Sequence, residues 1–259
     1  MPARLLTADG ALAAIGRDLP EETPIALVFN GISHAVMLAT PSDLEDFALG
    51  FALSEGIVAG RGEVLDIEVA PLADGVEVRI ALTARRFAAL KKRRRALAGP
   101  TGCGLCGLES LGDVLRPLPG VAAGFAIERA SLSRAMADLP SNQRLNQQTH
   151  AVHAAGWADR TGTVILVRED VGRHNALDKL IGAMAARKLD ATQGALLLTS
   201  RISYELVQKA AMAGMPVMAG VSAPTARAVR MAEQAGITLV GLARADSMLA
   251  FTHIERLVN

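Results

Sequence analysis

The sequence predicts an α/β protein in which a small, β-rich α+β part precedes a larger part of alternating strands and helices. Three observations carry this. Two hairpin dipeptides, Asn30-Gly31 and Asp74-Gly75, separate short runs of strand-forming residues in the first third of the chain. Glycine and proline accumulate between residues 99 and 120, which breaks any periodic pattern. Beyond Ser131 the signals alternate between strand and helix, the order that a largely parallel sheet requires.

In the first part, strands are expected at 24–29 and 32–38 around a type I′ turn, because Asn and Gly both tolerate positive φ. A helix should follow. Ser42 and Glu45 have the spacing of a capping box, and Leu44, Phe47, Ala48 and Phe51 recur at helical spacing up to Gly56. Strands at 64–70 and 76–82 flank Asp74-Gly75, and 83–98 reads as a basic helix. The segment 99–120 is expected to be a mobile loop. The domain boundaries are therefore 1–98, 99–120 and 121–259.

The second part begins with a polar helical stretch running through Arg144, Gln148 and His150. Strands are then expected at 163–167, 195–198, 217–221 and 237–242, separated by helices at 176–187, 204–213 and 225–235. Each strand runs out into a polar cluster: Arg168-Glu169-Asp170 with Arg173-His174-Asn175, then Thr199-Ser200-Arg201 with Ser203, then Ser222 with Thr225, then Arg244 with Asp246. In an open α/β sheet these ends share one edge, where helix N-termini and strand ends gather ligands. Arg173, Arg201 and Arg244 supply guanidinium forks suited to phosphate, and Asp170, Asp178 or Asp246 could meet a purine edge or a ribose hydroxyl. A phosphorylated, nucleotide-like ligand is the natural expectation. The alternative is that each cluster is an ordinary helix cap with a loop-stapling ion pair. His174 has the chemistry of a general acid or base, and equally that of a hydrogen-bonded structural histidine.

Composition narrows the setting. With 27 Lys and Arg against 26 Asp and Glu, net charge gives no reason to invoke nucleic acid. No apolar stretch is long enough to cross a bilayer, and the first residues lack the layout of a signal peptide, so a soluble cytoplasmic protein is expected. The basic run Lys91-Lys92-Arg93-Arg94-Arg95 could attract an acidic or phosphate-bearing partner, or could be a solvated helix end matching the macrodipole. Cys103 and Cys106 are the chain's 2 cysteines, too few for a disulfide framework.

These two thiols stand in Thr101-Gly102-Cys103-Gly104-Leu105-Cys106-Gly107. A thioredoxin-like pair sits at a helix N-terminus after a strand, and the surrounding glycines argue against such a rigid cap. Zinc could be completed by His150 and His153, although nothing in the sequence fixes either near the cysteines. A zinc deaminase needs an H-x-E ahead of its cysteines, which this chain lacks. Two buried structural thiols suit a core element better than a glycine-rich loop. A sulfur relay fits the glycines best, since a carrier thiolate must leave its donor and reach an acceptor.

Taken together, the residues resemble the FdhD/NarQ formate dehydrogenase accessory sulfurtransferases. The resemblance rests on Pro41-Ser42-Asp43-Leu44-Glu45, Gly50-Phe51, Ser54-Glu55-Gly56-Ile57, the Gly102–Gly107 cysteine motif, and the long run from Arg168 to Lys179. Ser200-Arg201-Ile202-Ser203-Tyr204-Glu205 and Ser222-Ala223-Pro224-Thr225 agree with later family motifs. It implies a cytidine-deaminase-like C-terminal α/β/α domain and a factor that takes persulfide sulfur from a cysteine desulfurase. The sulfur would pass to the molybdenum cofactor, bis-molybdopterin guanine dinucleotide, required by formate dehydrogenase. By the same resemblance Cys103 carries the persulfide with Cys106 assisting, and Leu242, Ala243, Arg244, Ala245, Asp246 and Ser247 contact the cofactor. Arg173, His174, Arg201 and Ser203 join that expected site, with a GDP-like moiety as the bound end and a homodimer as the assembly. No tightly bound metal is expected. The family usually has Ser-Gly-Arg where this chain has Thr199-Ser200-Arg201, Thr-Gly-Gly-x-His near His150, Phe at Leu242 and Gly at Ala245. Two other functions compete: a non-catalytic chaperone for the cofactor, and a zinc protein using Cys103, Cys106, His150 and His153.

Overall fold

The structure is a computed structural model that describes residues 1–10, 12–97, 118–244 and 246–259. Cys103 and Cys106 and most of the expected 99–120 loop lie outside the described residues, as does Ala245. Among the described residues no helix is long and apolar enough to cross a membrane.

The chain opens with an antiparallel hairpin, β1 (Pro2–Leu6) and β2 (Leu12–Gly16), whose residues are all exposed. Sequence reading assigned no structure to it. A four-stranded sheet of order β4-β3-β6-β5 follows, built from β3 (Thr23–Phe29), β4 (Ile32–Ala39), β5 (Val64–Leu72) and β6 (Gly75–Leu82). The β3–β4 turn is as expected, with φ of 47° at Asn30 and 78° at Gly31. Asn30 also bridges to β6, its side chain accepting from Leu82 N at 2.9 Å.

Helix α1 (Leu44–Ser54) packs on this sheet through Phe47, Ala48 and Phe51. The expected capping box is absent. Asp43 is the N-cap, in the left-handed conformation with φ 53° and without a side-chain cap, so the first turn is entered through a sharp bend. Asp43 instead lies 3.5 Å from the Arg168 guanidinium. The basic helix α2 (Ala84–Leu97) closes this part, with Lys91 over the ring of Phe87 and Arg93 donating to the Glu55 carbonyl.

The larger part is a three-layer sandwich around a six-stranded sheet of order β13-β12-β11-β10-β8-β9. Its strands are β8 (His153–Ala158), β9 (Val164–Asp170), β10 (Ala195–Leu198), β11 (Val217–Gly220), β12 (Thr238–Gly241) and β13 (Leu249–Ala250). β10, β11 and β12 are parallel, while β8 runs antiparallel to both β10 and β9. The polar stretch after residue 128 is two helices rather than one, α3 (Arg129–Asp138) and α4 (Arg144–Thr149), separated by a 3₁₀ turn at Leu139–Asn142. Helices α5 (Arg173–Ala186), α6 (Tyr204–Ala213) and α7 (Ala226–Ala235) cover one sheet face over a core that includes Leu177, Leu196, Leu206 and Ala228. On the other face Leu132, Ala135 and Met136 of α3 pack on Leu197, Val217 and Val240. A two-stranded ribbon, β7 (Ile127–Glu128) with β14 (Leu257–Val258), completes that layer.

The two parts meet where α1 crosses α5 at backbone contact. A Cβ added to Gly50 would lie 1.7 Å from the Asp178 carbonyl oxygen, and one added to Gly182 would lie 1.8 Å from that of Asp46. Glycine is required at both positions because backbone, not a flexible side chain, occupies the space.

Candidate functional site

Because β9, β10, β11 and β12 all point the same way, their carboxyl ends share one sheet edge, as the sequence predicts. The N-terminal end of antiparallel β8 joins them, which brings His153 opposite Asp170. His150 is exposed at the C-cap of α4 with φ 54°, so the two histidines of the zinc alternative do not share a helix. Among the described residues no three His, Cys, Asp or Glu side chains gather to hold a metal.

Three of the expected site residues come together at the heads of α5 and α6. His174 Nε2 lies 3.3 Å from Ser203 Oγ and 3.4 Å from Glu205 Oε2, and Ser203 Oγ donates to Glu205 Oε2 at 2.7 Å. Ser203 is the N-cap of α6, but its hydroxyl turns to Glu205 instead of capping the helix. Arg173 begins α5, and its Nε is buried without a hydrogen-bond partner. Burial, then the Arg173 charge, push the His174 imidazole below the usual histidine range, and Lys209 adds to this while Glu205 opposes it. His153 is lowered by the same two leading causes, burial and Arg173. Arg201 is exposed on the turn after β10.

The 242–247 segment lies on the same edge, two strands along from β10. Leu242 has φ 49° and donates its N–H to the Ser222 carbonyl, while Ala243 N donates to the Gly220 carbonyl. Arg244 N bonds the Ser247 carbonyl at 2.8 Å, and the Arg244 carbonyl accepts from Ser133 Oγ of α3. The segment thus leans toward the α3 layer, whereas Arg173, His174 and Ser203 belong to the opposite layer. Arg244, Asp246 and Ser247 are exposed, and a non-glycine residue at positive φ marks the turn as a strained one.

Asp170 and Asp178 are not available to a nucleotide, contrary to expectation. Asp170 is fully buried, 2.7 Å from Lys179 Nζ, and accepts from Thr40 N, Gly172 N and Asn175 Nδ2. Lys179 is also fully buried and donates to the Thr40 carbonyl at 2.8 Å. Asp178 accepts from Ser54 Oγ at 2.6 Å and from Lys209 Nζ at 3.0 Å, and Lys209 reaches Glu55 Oε1 at 2.9 Å. Burial pushes the Asp178 carboxyl up against the pull of Lys209. Burial also works against the Lys209 ammonium, but Asp178 and Glu55 outweigh it and its pKa rises. Arg168 holds Asp46 through Nε at 2.9 Å and Nη2 at 2.7 Å. Glu169 caps α4 by accepting from Leu145 N and Asn146 N, each at 2.8 Å. The run from Arg168 to Lys179 therefore does two jobs: Arg168, Asp170, Asp178 and Lys179 join the two parts of the chain, and Arg173 and His174 face the edge.

Sequence reasoning did not single out Glu205, Lys209 or Thr40. The legible signal for Glu205 was an acid in the first turn of a helix, which is common for dipole reasons alone. Lys209 and Thr40 gave none, because their importance comes from partners remote in sequence.

The chain is thus a mixed α/β sandwich with polar strand-end turns along one carboxyl edge, the place where ligands collect in open α/β sheets. The chain belongs to the FdhD/NarQ family, whose match runs over residues 20–258. It is 51% identical over 250 residues to the sulfur carrier protein FdhD of Bordetella bronchiseptica, covering 96% of this chain and 91% of that protein. It is 53% identical over 248 residues to the sulfur carrier protein FdhD of Cupriavidus necator, covering 96% and 86%. The fold is similar to the crystal structure of a provisionally named formate dehydrogenase accessory protein from Desulfotalea psychrophila. There the TM-score is 0.79 at 22% identity, with 100% of this chain and 98% of that one covered.

Proposed function

We propose that this protein is a cytoplasmic sulfur carrier that accepts persulfide sulfur from a cysteine desulfurase on Cys103. It passes that sulfur to bis-molybdopterin guanine dinucleotide, the molybdenum cofactor, for formate dehydrogenase. The observation that carries the reading is the relationship to sulfur carrier proteins at half identity over nearly the whole chain, in a sequence that holds the paired thiols. In the uptake step the Cys103 thiolate attacks the outer sulfur of the donor persulfide and the donor cysteine leaves as its thiolate. One S–S bond forms, one breaks, and there is no net oxidation. Cys106 assists.

The cofactor is read as substrate, bound by its guanine-nucleotide end. Arg173, His174, Arg201 and Ser203 face it from one side and the 242–247 segment from the other. Exposed guanidinium groups, a hydroxyl and a strained turn on one edge support this assignment. The chain is read as two units, 1–98 and 121–259, with 99–120 bringing the thiols to the edge. The second unit is read as cytidine-deaminase-like, and the assembly as a homodimer. Incubation with a cysteine desulfurase and labelled cysteine tests the relay. The expected result is one added sulfur on Cys103 by mass spectrometry, absent in Cys103→Ala. A Cys103→Ala protein that still supports formate dehydrogenase activity in cells would instead make this a cofactor chaperone.

A further inference from the structure

Glu205 is the carboxylate that acts on Arg173, and it is shared with Ser203 and His174. The Arg173 Nε is buried and bonded to nothing among the described residues, in contrast to Arg168, which Asp46 holds through two nitrogens. A buried guanidinium N–H without an acceptor is unfavourable, so such an arrangement persists best where a ligand oxygen completes it. The imidazoles of His153 and His174 both feel Arg173, and both are kept toward the neutral form. Asp170, the carboxylate acting on His153, is already paired with Lys179 at 2.7 Å. Glu205 is the acidic group beside His174, with one oxygen shared between Ser203 Oγ at 2.7 Å and His174 Nε2 at 3.4 Å.

We propose that Arg173, His174, Ser203 and Glu205 form a phosphoryl-binding subsite in which His174 takes up a proton from solvent as the oxyanion binds. This rests on the reading of the sheet edge as the acceptor's site. The charged and polar groups that act on His174 are Arg173 from α5 and Ser203, Glu205 and Lys209 from α6. Arg173 and Lys209 oppose an imidazolium and Glu205 favours one, so the free site holds a neutral ring. Glu205, an acceptor, calls for the Nε2–H tautomer, which leaves Nδ1 to gain the proton. A phosphoryl group neutralises Arg173 and adds negative charge beside the ring, and both changes favour protonation. The nearby cation then holds the ligand, and Glu205 keeps the ring oriented.

Calorimetric titration of the full chain with GDP, repeated in buffers of different ionisation enthalpy, measures the protons taken up. Between about pH 6.5 and 8 the GDP Kd is expected to weaken by up to about tenfold per unit, with uptake approaching one proton at the acid end. After subtraction of each ligand's own phosphate ionisation, inorganic pyrophosphate should show the same uptake and guanosine none, which assigns the effect to the phosphoryl groups. His174→Gln should abolish the uptake and flatten the pH dependence. Glu205→Gln should move the dependence to lower pH, and it serves if the first variant folds poorly. His153→Gln should retain the slope, because no free carboxylate supports that imidazolium. A pH-independent wild-type Kd, or uptake that survives in His174→Gln, overturns the proposal. Absence of GDP and pyrophosphate binding at every pH overturns the reading of the edge with it, while labelled persulfide on Cys103 is read independently of both.

Discussion

Lys209 ties three elements together, through Glu55 and Ser54 at the end of α1, Asp178 on α5 and its own helix α6, and its ammonium also lies 5.5 Å from the Phe51 ring centre. Removing one member of a buried pair strands the other charge. Lys209→Met is therefore expected to cost about 3–5 kcal/mol in urea unfolding. The double variant with Asp178→Asn should recover much of that, because neither charge then remains buried; equal losses in the single and double variants would contradict this account. Titration gives a second test. The His174 pKa in the fold is depressed below the unfolded value of 6.5, so the unfolded chain binds more protons over the interval just beneath 6.5. The associated stability is complete above pH 6.5 and is lost as pH falls toward the folded value. His174→Gln should flatten that part of the stability–pH curve. Glu63 acts further into acid: the Ala59 backbone N–H, then Arg86 and Arg85, hold it at about 2, so its contribution is present above 4.5 and lost as pH falls through that interval. Glu63→Gln should remove it, as followed by acid unfolding.

Among the elements, the α1–α5 crossing sets the arrangement of the site, since α5 carries both Arg173 at its head and the charges that bind α1. Gly50→Ala would drive a methyl into the Asp178 carbonyl, and neither helix backbone can yield without disturbing the Ser54–Asp178–Lys209 bonds. A loss of at least about 3 kcal/mol is expected in thermal unfolding. Gly60→Ala is the control, because it has nothing within 4 Å and an extended backbone at φ −170°, and it should be near neutral. Element type was largely readable from local pattern: the Asn30-Gly31 turn, the α5, α6 and α7 periodicities and the strand-end clusters all appear where expected. β8 was not, because His153-Ala154-Ala155-Gly156-Trp157-Ala158 has no β-branched residue and is almost wholly buried, so only its pairing with β9 and β10 makes it a strand. The Ser42–Glu45 cap failed for a related reason, since Asp43 is drawn toward Arg168, which is remote in sequence. Spacing found the edge of the sheet but could not separate Arg173 and His174, which face that edge, from Asp170 and Asp178, which are buried between the two parts.

At the scale of the whole molecule, the hydrophobic cores of the two parts touch through Leu53 and Ala185, and polar anchors are shared between them. Asp170 and Lys179 of the larger part are completed by Thr40, Asp178 and Lys209 by Ser54 and Glu55, and Arg168 by Asp46. Without the first part, the second would carry Lys179 and Lys209, both buried in the whole chain, on a newly exposed face without their bonds to Thr40, Ser54 and Glu55. Helix α1 is likewise held between the two parts, with Phe47 and Phe51 in the core of the small sheet and Gly50 against α5. Two cores connected in this way should behave as one cooperative unit rather than as independent domains. The prediction is direct. Residues 1–98 and 118–259, produced together as separate chains with a tag on one, should co-purify, whereas 118–259 produced alone should fail to reach the native state. The single Trp157, 2% exposed on β8, reports the outcome, with blue-shifted emission in the assembled pair and red-shifted emission in the isolated piece. A soluble 118–259 piece with native-like emission and a sharp unfolding transition would show that the buried ion pairs orient two self-sufficient domains instead of completing one.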